Sequence, residues 1–345
     1  MKIIMEKINN TIKPQQKYRQ FYFFCFWGFY VIFPVMMALQ CSKSGWTPAK
    51  NVSVDESLAI NNSAQYNAQW IKMSDDAKLY ERSWLKQNAG CNILFLHCMS
   101  THSGLYGKFA MKVLEKTSCN FYALDLRGFG KSGKPGDIEY KWTKATDRIV
   151  ADICSALNLH ADLPLFLTGY SLGASFSIKA LQTCDIKLEG LLLLAPGIEL
   201  ATPNTPEIEK LKSSMFWKMI FSPDEYWDSS IGWVDEIKNG PMGEMMKNDK
   251  LCAINMTYRF SMIFIGIQKS NLMRSAKKIQ TPVLVVQGKN DTVVKPQASR
   301  DFFETLASVD KNILEPDTGH DLGGLFFSDT EIFNSESVFR FLQIK

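Results

Sequence analysis

The sequence contains no C-x-x-C pair, no internal repeat and, beyond its first forty residues, no surplus of charge of either sign. Five of the 39 Lys and Arg and one of the 35 Asp and Glu lie in residues 1–40, and the remaining 34 of each cancel. A neutral body gives no electrostatic support for binding a phosphate backbone, so no nucleic-acid partner is expected. Without paired cysteine spacing, no structural zinc site is expected either. Thirteen Pro and 21 Gly are too few for a collagen-like or low-complexity chain, and 46% hydrophobic against 21% charged residues excludes general disorder. Histidine is scarce, at four, so few candidates exist for any chemistry that needs an imidazole.

The first forty residues, by contrast, are strongly patterned. Phe21 to Gln40 is a run of twenty residues without a charge, preceded by Lys2, Lys7, Lys13, Lys17 and Arg19. At about 1.5 Å per residue such a run spans about 30 Å, the thickness of a bilayer core, and upstream cations hold that end on the cytoplasmic side. Residues 1–41 therefore read as a signal or membrane-anchor segment, which places the rest of the chain outside the cytoplasm. Cys41, where the apolar run meets Ser42-Lys43-Ser44-Gly45, resembles the lipidated cysteine of a bacterial lipoprotein, although Gln40 stands where Gly, Ala or Ser is usual. The other reading is a retained transmembrane helix. Residues 42–66, without sustained periodicity, read as a linker.

From about Ala68 onward, strand and helix patterns alternate. Strands are expected at Gln69–Met73, Lys78–Trp84, Ile93–His97, Phe121–Asp125, Leu165–Thr168, Gly190–Ala195, Pro282–Gln287 and Asn312–Glu315. Several are unbroken apolar runs, as parallel strands covered on both faces require. The intervening helical stretches make this an α/β chain with a doubly wound, mostly parallel sheet of about eight strands. The core is expected over 67–196 and 276–345. Between them, 197–275 shows no convincing strand and is dense in Met, Phe and Trp, including Trp233, Met242 and Met246. It reads as a helical cap whose side chains pack onto the sheet or line an apolar cleft. Cys91 and Cys119 open two strands at the same distance from their functional ends. They form a disulfide if those strands are neighbours in register, or remain two buried thiols.

The chemistry concentrates in a few places. Leu165 to Ser175 joins an apolar strand to a helix through Gly169-Tyr170-Ser171-Leu172-Gly173, a G-x-S-x-G turn that lifts the serine hydroxyl above the sheet beside a helix N-terminus. A serine hydroxyl needs a base. Of the four histidines only His320 follows Ser171, and serine, acid, histidine is the chain order of this kind of turn. Asp291, in the turn after Val283–Gln287, is the preferred acid; Asp317 and Asp321 share the histidine's own loop and read equally as loop caps. Two backbone N–H groups must face the developing oxyanion. Leu172, directly after the serine, supplies one, and Met99, in the loop after Ile93–His97, supplies the other.

These residues resemble the α/β-hydrolase superfamily and, within it, the monoacylglycerol lipase and lysophospholipase group. The matching stretches are Leu96 to Tyr106, Asp125 to Gly133, the Gly169–Gly173 turn, Asn248 to Leu251, Gln287 to Asp291 and Gly319-His320. The resemblance implies an α/β-hydrolase fold and a serine esterase acting on monoacyl lipids, which the N-terminal segment is expected to tether to a membrane. It implies the triad Ser171, Asp291 and His320, and no metal or organic cofactor. Acyl transfer or peptide cleavage on the same triad, and a surface binding protein without turnover, are the alternatives. The group has Gly after the strand-ending histidine, and here Cys98 stands there. Its β-carbon is expected to crowd the loop that carries Met99 N–H, because glycine tolerates backbone angles that cysteine does not.

Overall fold

The computed structural model describes residues 66–134, 142–201, 206–269, 271–326 and 335–343. The anchor segment, Cys41 and nearly all of the linker lie outside the described residues. Among those described, no helix is long and apolar enough to cross a membrane.

Eight strands form one sheet: β1 (Tyr66–Lys72), β2 (Lys78–Trp84), β3 (Cys91–Leu96), β4 (Cys119–Leu124), β5 (Leu165–Tyr170), β6 (Gly190–Leu194), β9 (Val283–Val286) and β10 (Lys311–Leu314). Their order is β1-β2-β4-β3-β5-β6-β9-β10. The β1–β2 and β2–β4 pairs are antiparallel and every other pair is parallel. Strands β3, β5, β6 and β9 are buried at every residue, which is why their sequences are predominantly apolar. Helices α1 (Gly107–Lys116), α2 (Trp142–Leu159), α3 (Leu172–Thr183), α9 (Pro296–Thr305) and α10 (Glu336–Phe341) accompany this sheet. The winding reverses between β3 and β5, and at such a switch point the carboxyl ends of the strands open a crevice.

Strands β3 and β4 run in the register that sets Cys91 opposite Cys119, and the two are bonded. A second disulfide, Cys154–Cys184, links α2 to the residue after α3. Nothing in the spacing of those two cysteines announced it, because the pairing depends on how two helices pack.

The inserted segment holds α4 (Pro206–Phe221), α5 (Asp235–Asn239), α6 (Pro241–Asn248), α7 (Tyr258–Lys269) and α8 (Leu272–Ala276). It is not wholly helical. Strands β7 (Tyr226–Asp228) and β8 (Asn255–Thr257) pair antiparallel within it. At three residues each they are too short to show an alternating pattern, so the sequence does not reveal them. Polar ties stitch the insertion to the core: Ala253 N–H donates to the Ser100 carbonyl at 2.9 Å, and His102 Nε2 meets Asp249 Oδ2 at 2.9 Å.

Candidate active site

Each chemically important residue leaves the carboxyl end of a strand: Met99 after β3, Ser171 after β5, Asp291 after β9 and His320 after β10. Ser171 takes φ 54° and ψ −111°, a sparsely populated conformation for a residue with a β-carbon. The turn is possible because its neighbours are small. A β-carbon on Gly169 would stand 2.5 Å from the Gly173 carbonyl oxygen, and one on Gly173 would overlap the Leu96 carbonyl oxygen. The sharp turn and the close approach of α3 to β3 thus require those two glycines.

His320 Nε2 lies 3.1 Å from Ser171 Oγ, and His320 Nδ1 lies 2.8 Å from Asp291 Oδ2. All three side chains are buried. The second oxygen of Asp291 accepts the backbone N–H groups of Val293 and Val294 at 2.8 and 2.9 Å. Gln287 Nε2 donates to Asp291 Oδ2 at 2.9 Å, and Gln287 is held in turn by the Ser299 hydroxyl at 2.7 Å. Burial opposes a charge on Asp291, yet His320 and the backbone N–H groups of Val294 and Val293 hold its carboxyl below the ordinary range. Burial opposes a charge on His320 as well, but the Asp291 carboxylate and the adjoining Cys98 thiol outweigh it and raise the imidazole above its ordinary value. An imidazole whose Nδ1–H is held by a carboxylate presents Nε2 to the serine as a proton acceptor. Asp317 and Asp321, the alternative acids, are loop caps: Asp317 accepts from Asn290 Nδ2 at 2.7 Å and Asp321 from Gly323 N–H at 3.1 Å.

Leu172 is the first residue of α3, so its N–H is one of the donors that a helix leaves unpaired at its start. The direction of Met99 N–H follows from the neighbouring carbonyl. The Cys98 carbonyl accepts from His97 Nδ1 at 2.7 Å and from the Thr101 hydroxyl at 2.8 Å. A planar trans peptide then points Met99 N–H the opposite way. His97 Nε2 accepts from Leu126 N–H at 3.0 Å, so this imidazole is a neutral strut. Burial pushes its pKa down to about 4. Ser103, at the end of the same loop, donates its N–H and hydroxyl to Asp125, which also pairs with Arg82 at 3.0 Å. The Asp125–Gly133 stretch therefore supports the site without entering it.

The left-handed backbone angle that would make Cys98 a strain is absent. Its backbone is not among the described residues with positive φ; that conformation falls on Ser100 at φ 62°, two residues on. The Cys98 side chain turns instead toward His320, on the wall of a cavity of about 220 Å³. Met99, Leu172, Trp233, Met242 and Met246 share that wall with Ser171 and His320.

Residues 87–322 match the family described as serine aminopeptidase, S33. The chain belongs to that family of α/β hydrolases. Its relatives include a putative monoglyceride lipase of Schizosaccharomyces pombe, 24% identical over 68% of this chain and 63% of that protein. Phospholipase YtpA of Bacillus subtilis is 22% identical over 75% of this chain and 95% of that protein. Among solved structures, a monoglyceride lipase variant from Saccharomyces cerevisiae aligns with a TM-score of 0.62 at 18% identity, covering 81% of this chain and 94% of that one. The Paleococcus ferrophilus monoacylglycerol lipase aligns at 0.59 with 24% identity, covering 76% and 96%. At these identities the shared property is the fold.

One cluster in this S33 hydrolase has metal-ligand chemistry: among the described residues, His102, Asp249 and Cys252 place ligand atoms within 4.8 Å of one another. The hydrogen bonds argue against a metal there. His102 Nδ1 accepts from Gly104 N–H at 3.2 Å, which leaves the proton on Nε2, where it is donated to Asp249. Sequence reasoning missed Gln287 and Ser299 as supports of the acid, and it missed the cap residue Glu236. Gln287 lies in a quoted motif, but its role needed the fold of α9 beside it.

Proposed function

We propose that the protein is a serine hydrolase that cleaves the ester of a neutral monoacyl lipid, of the monoacylglycerol kind, through an acyl-enzyme on Ser171. The observation that carries this reading is the Ser171–His320–Asp291 constellation opening onto an apolar cavity that no Lys, Arg, Asp or Glu lines among the described residues. Ser171 Oγ attacks the ester carbonyl as His320 Nε2 takes its proton. Met99 and Leu172 N–H receive the oxyanion, and the carbon–oxygen bond to the alcohol breaks as His320 returns the proton to it. Water repeats the sequence on the acyl-enzyme and releases the fatty acid. The relatives named for lipases support the lipid ester as substrate. So does α4, which exposes Phe216, Trp217 and Ile220.

Two other substrate classes meet this cavity poorly. A lysophospholipid head group carries a phosphate for which the wall offers no Lys or Arg among the described residues, and an aminopeptidase substrate carries an α-ammonium for which it offers no Asp or Glu among them. The family's description keeps amide cleavage as the second reading. A fluorophosphonate probe is expected to label the wild type and not Ser171→Ala. Hydrolysis rates on a monoacylglycerol, a lysophospholipid and an amino-acid arylamide are expected to rank in that order. A preference for the arylamide would transfer the reading to the peptidase.

The tether belongs to the same proposal. The charge-free run of Phe21–Gln40 and Cys41 support attachment to a membrane, by lipidation or a retained helix, with the body on the extracytoplasmic side. Two disulfides suit that oxidising side. Recovery of the full chain in the soluble fraction would reject it.

A further inference from the structure

The cap does more than roof the cavity at one point. Glu236, in the first turn of α5, extends its carboxylate across the seam to the two loops that carry the acid and the base. One oxygen accepts the backbone N–H of His320. The other accepts the backbone N–H of Thr292 at 2.9 Å and the Thr292 hydroxyl at 2.6 Å. Thr292 directly follows Asp291. A single cap carboxylate is thus bonded to the base itself and to the neighbour of the acid. Gly319 belongs to the same arrangement, since a β-carbon there would overlap the Glu236 carboxylate.

Behind these loops the core laces them together separately: Asn290 N–H donates to the Thr318 carbonyl at 3.0 Å, and Lys289 N–H to the Pro316 carbonyl at 3.0 Å. Those bonds tie the two turns to each other within the core. Glu236 adds a tie from α5, so the main chain of His320 is bonded both by the Tyr170 hydroxyl, which donates to its carbonyl at 3.0 Å, and by Glu236, which accepts its N–H. Charge-assisted bonds of this kind are the stronger class of hydrogen bond, and they constrain a backbone directly.

We infer that Glu236 is a positioning residue for the hydrolysis: through the His320 and Thr292 main chain it sets the geometry of the Asp291–His320 pair, so that a correctly seated cap is a condition of a working triad. The inference rests on the Ser171 acyl-enzyme reading. Loss of the latch lets the imidazole drift relative to Ser171 Oγ, and a displacement near 1 Å from such a change costs about 100-fold in rate. Because Glu236 does not line the cavity, substrate affinity is not its business.

The experiment compares wild type, Glu236→Ala, Glu236→Gln and Ser171→Ala by fluorophosphonate labelling rate, by kcat and KM on a short soluble ester, and by thermal melting. Glu236→Ala is expected to lose about 10- to 100-fold in kcat and in labelling rate with KM within about threefold and the melting transition intact. Glu236→Gln, which keeps one acceptor oxygen, is expected to fall between the two. Variants that match wild type in kcat and labelling overturn the proposal, as does a loss confined to KM or one that follows the folded fraction. If Glu236→Ala does not fold, the isosteric Glu236→Gln decides by the same criteria. A wild type that the probe does not label ends the Ser171 reading and this proposal together. A labelled wild type with unaffected Glu236 variants ends this proposal alone.

Discussion

Asp291 and His320 show how little of a side chain's protonation behaviour resides in its own chemistry. Both are buried, and each is charged only at the expense of hydration. Together they offset that cost, with the acid held below its ordinary range and the imidazole above it. The sign of the pH dependence follows. In the proposed mechanism Ser171 is activated only by a neutral imidazole, so kcat/KM is expected to fall as pH drops through the His320 pKa. Because that value is raised, the midpoint of the fall is expected above 6.5. Asp291→Asn removes the charge that raises it. The variant is expected to lose about 10⁴ in kcat, as when an amide stabilises the wrong tautomer, and to move the acid limb to lower pH. A pH–rate profile of the variant with an unchanged limb would separate His320 from that titration.

At the scale of elements, the disulfides and the Gly-rich turns divide the labour. The Gly169–Gly173 turn works by the absence of side chains, which lets α3 lie against β3. Cys154–Cys184 works by restricting the unfolded chain, since it closes a loop of 30 residues between α2 and the end of α3. Replacing both cysteines by Ser is expected to lower stability by about 2–4 kcal/mol, read as a lower denaturant midpoint with an esterase rate unchanged in native buffer. An unchanged midpoint would mean that these sulfurs do not pair in solution. The Cys98 wall of the cavity is untouched by that change, so activity and stability are expected to separate cleanly.

For the molecule as a whole, stability and activity share one vulnerability at low pH. His97 is neutral in the fold with its pKa pushed down to about 4, from a value of 6.5 that the unfolded chain retains. The unfolded state therefore binds a proton that the native state does not, and stability declines as pH falls from 6.5 toward 4, by about 3 kcal/mol in total. Asp125 continues the trend. Burial opposes its charge, but Arg82 and the neighbouring histidines hold it down at about 2, so its contribution, present above the ordinary 3.8, is lost as pH falls further. Urea midpoints measured from pH 7 to 4 are expected to fall steadily, and a flat profile would show His97 to be protonated or exposed. Because His97 also orients the peptide that carries Met99 N–H, loss of the strut and loss of the proposed oxyanion donor are expected to coincide.

Local pattern was enough to announce the eight core strands, the strand-turn-helix at Ser171 and the loop after β3. Each is written in residues close together in the chain: apolar runs, small residues flanking a serine, a loop after a strand. The short β7–β8 pair, the Cys154–Cys184 bond, the orientation of Cys98 toward His320 and the reach of Glu236 to His320 are written nowhere locally. They depend on residues tens of positions apart meeting once the chain has packed, 84 positions in the case of Glu236 and His320. Local geometry is set by backbone sterics and hydropathy over a few residues, whereas contacts across the seam between cap and core are chosen by the packing of complete elements.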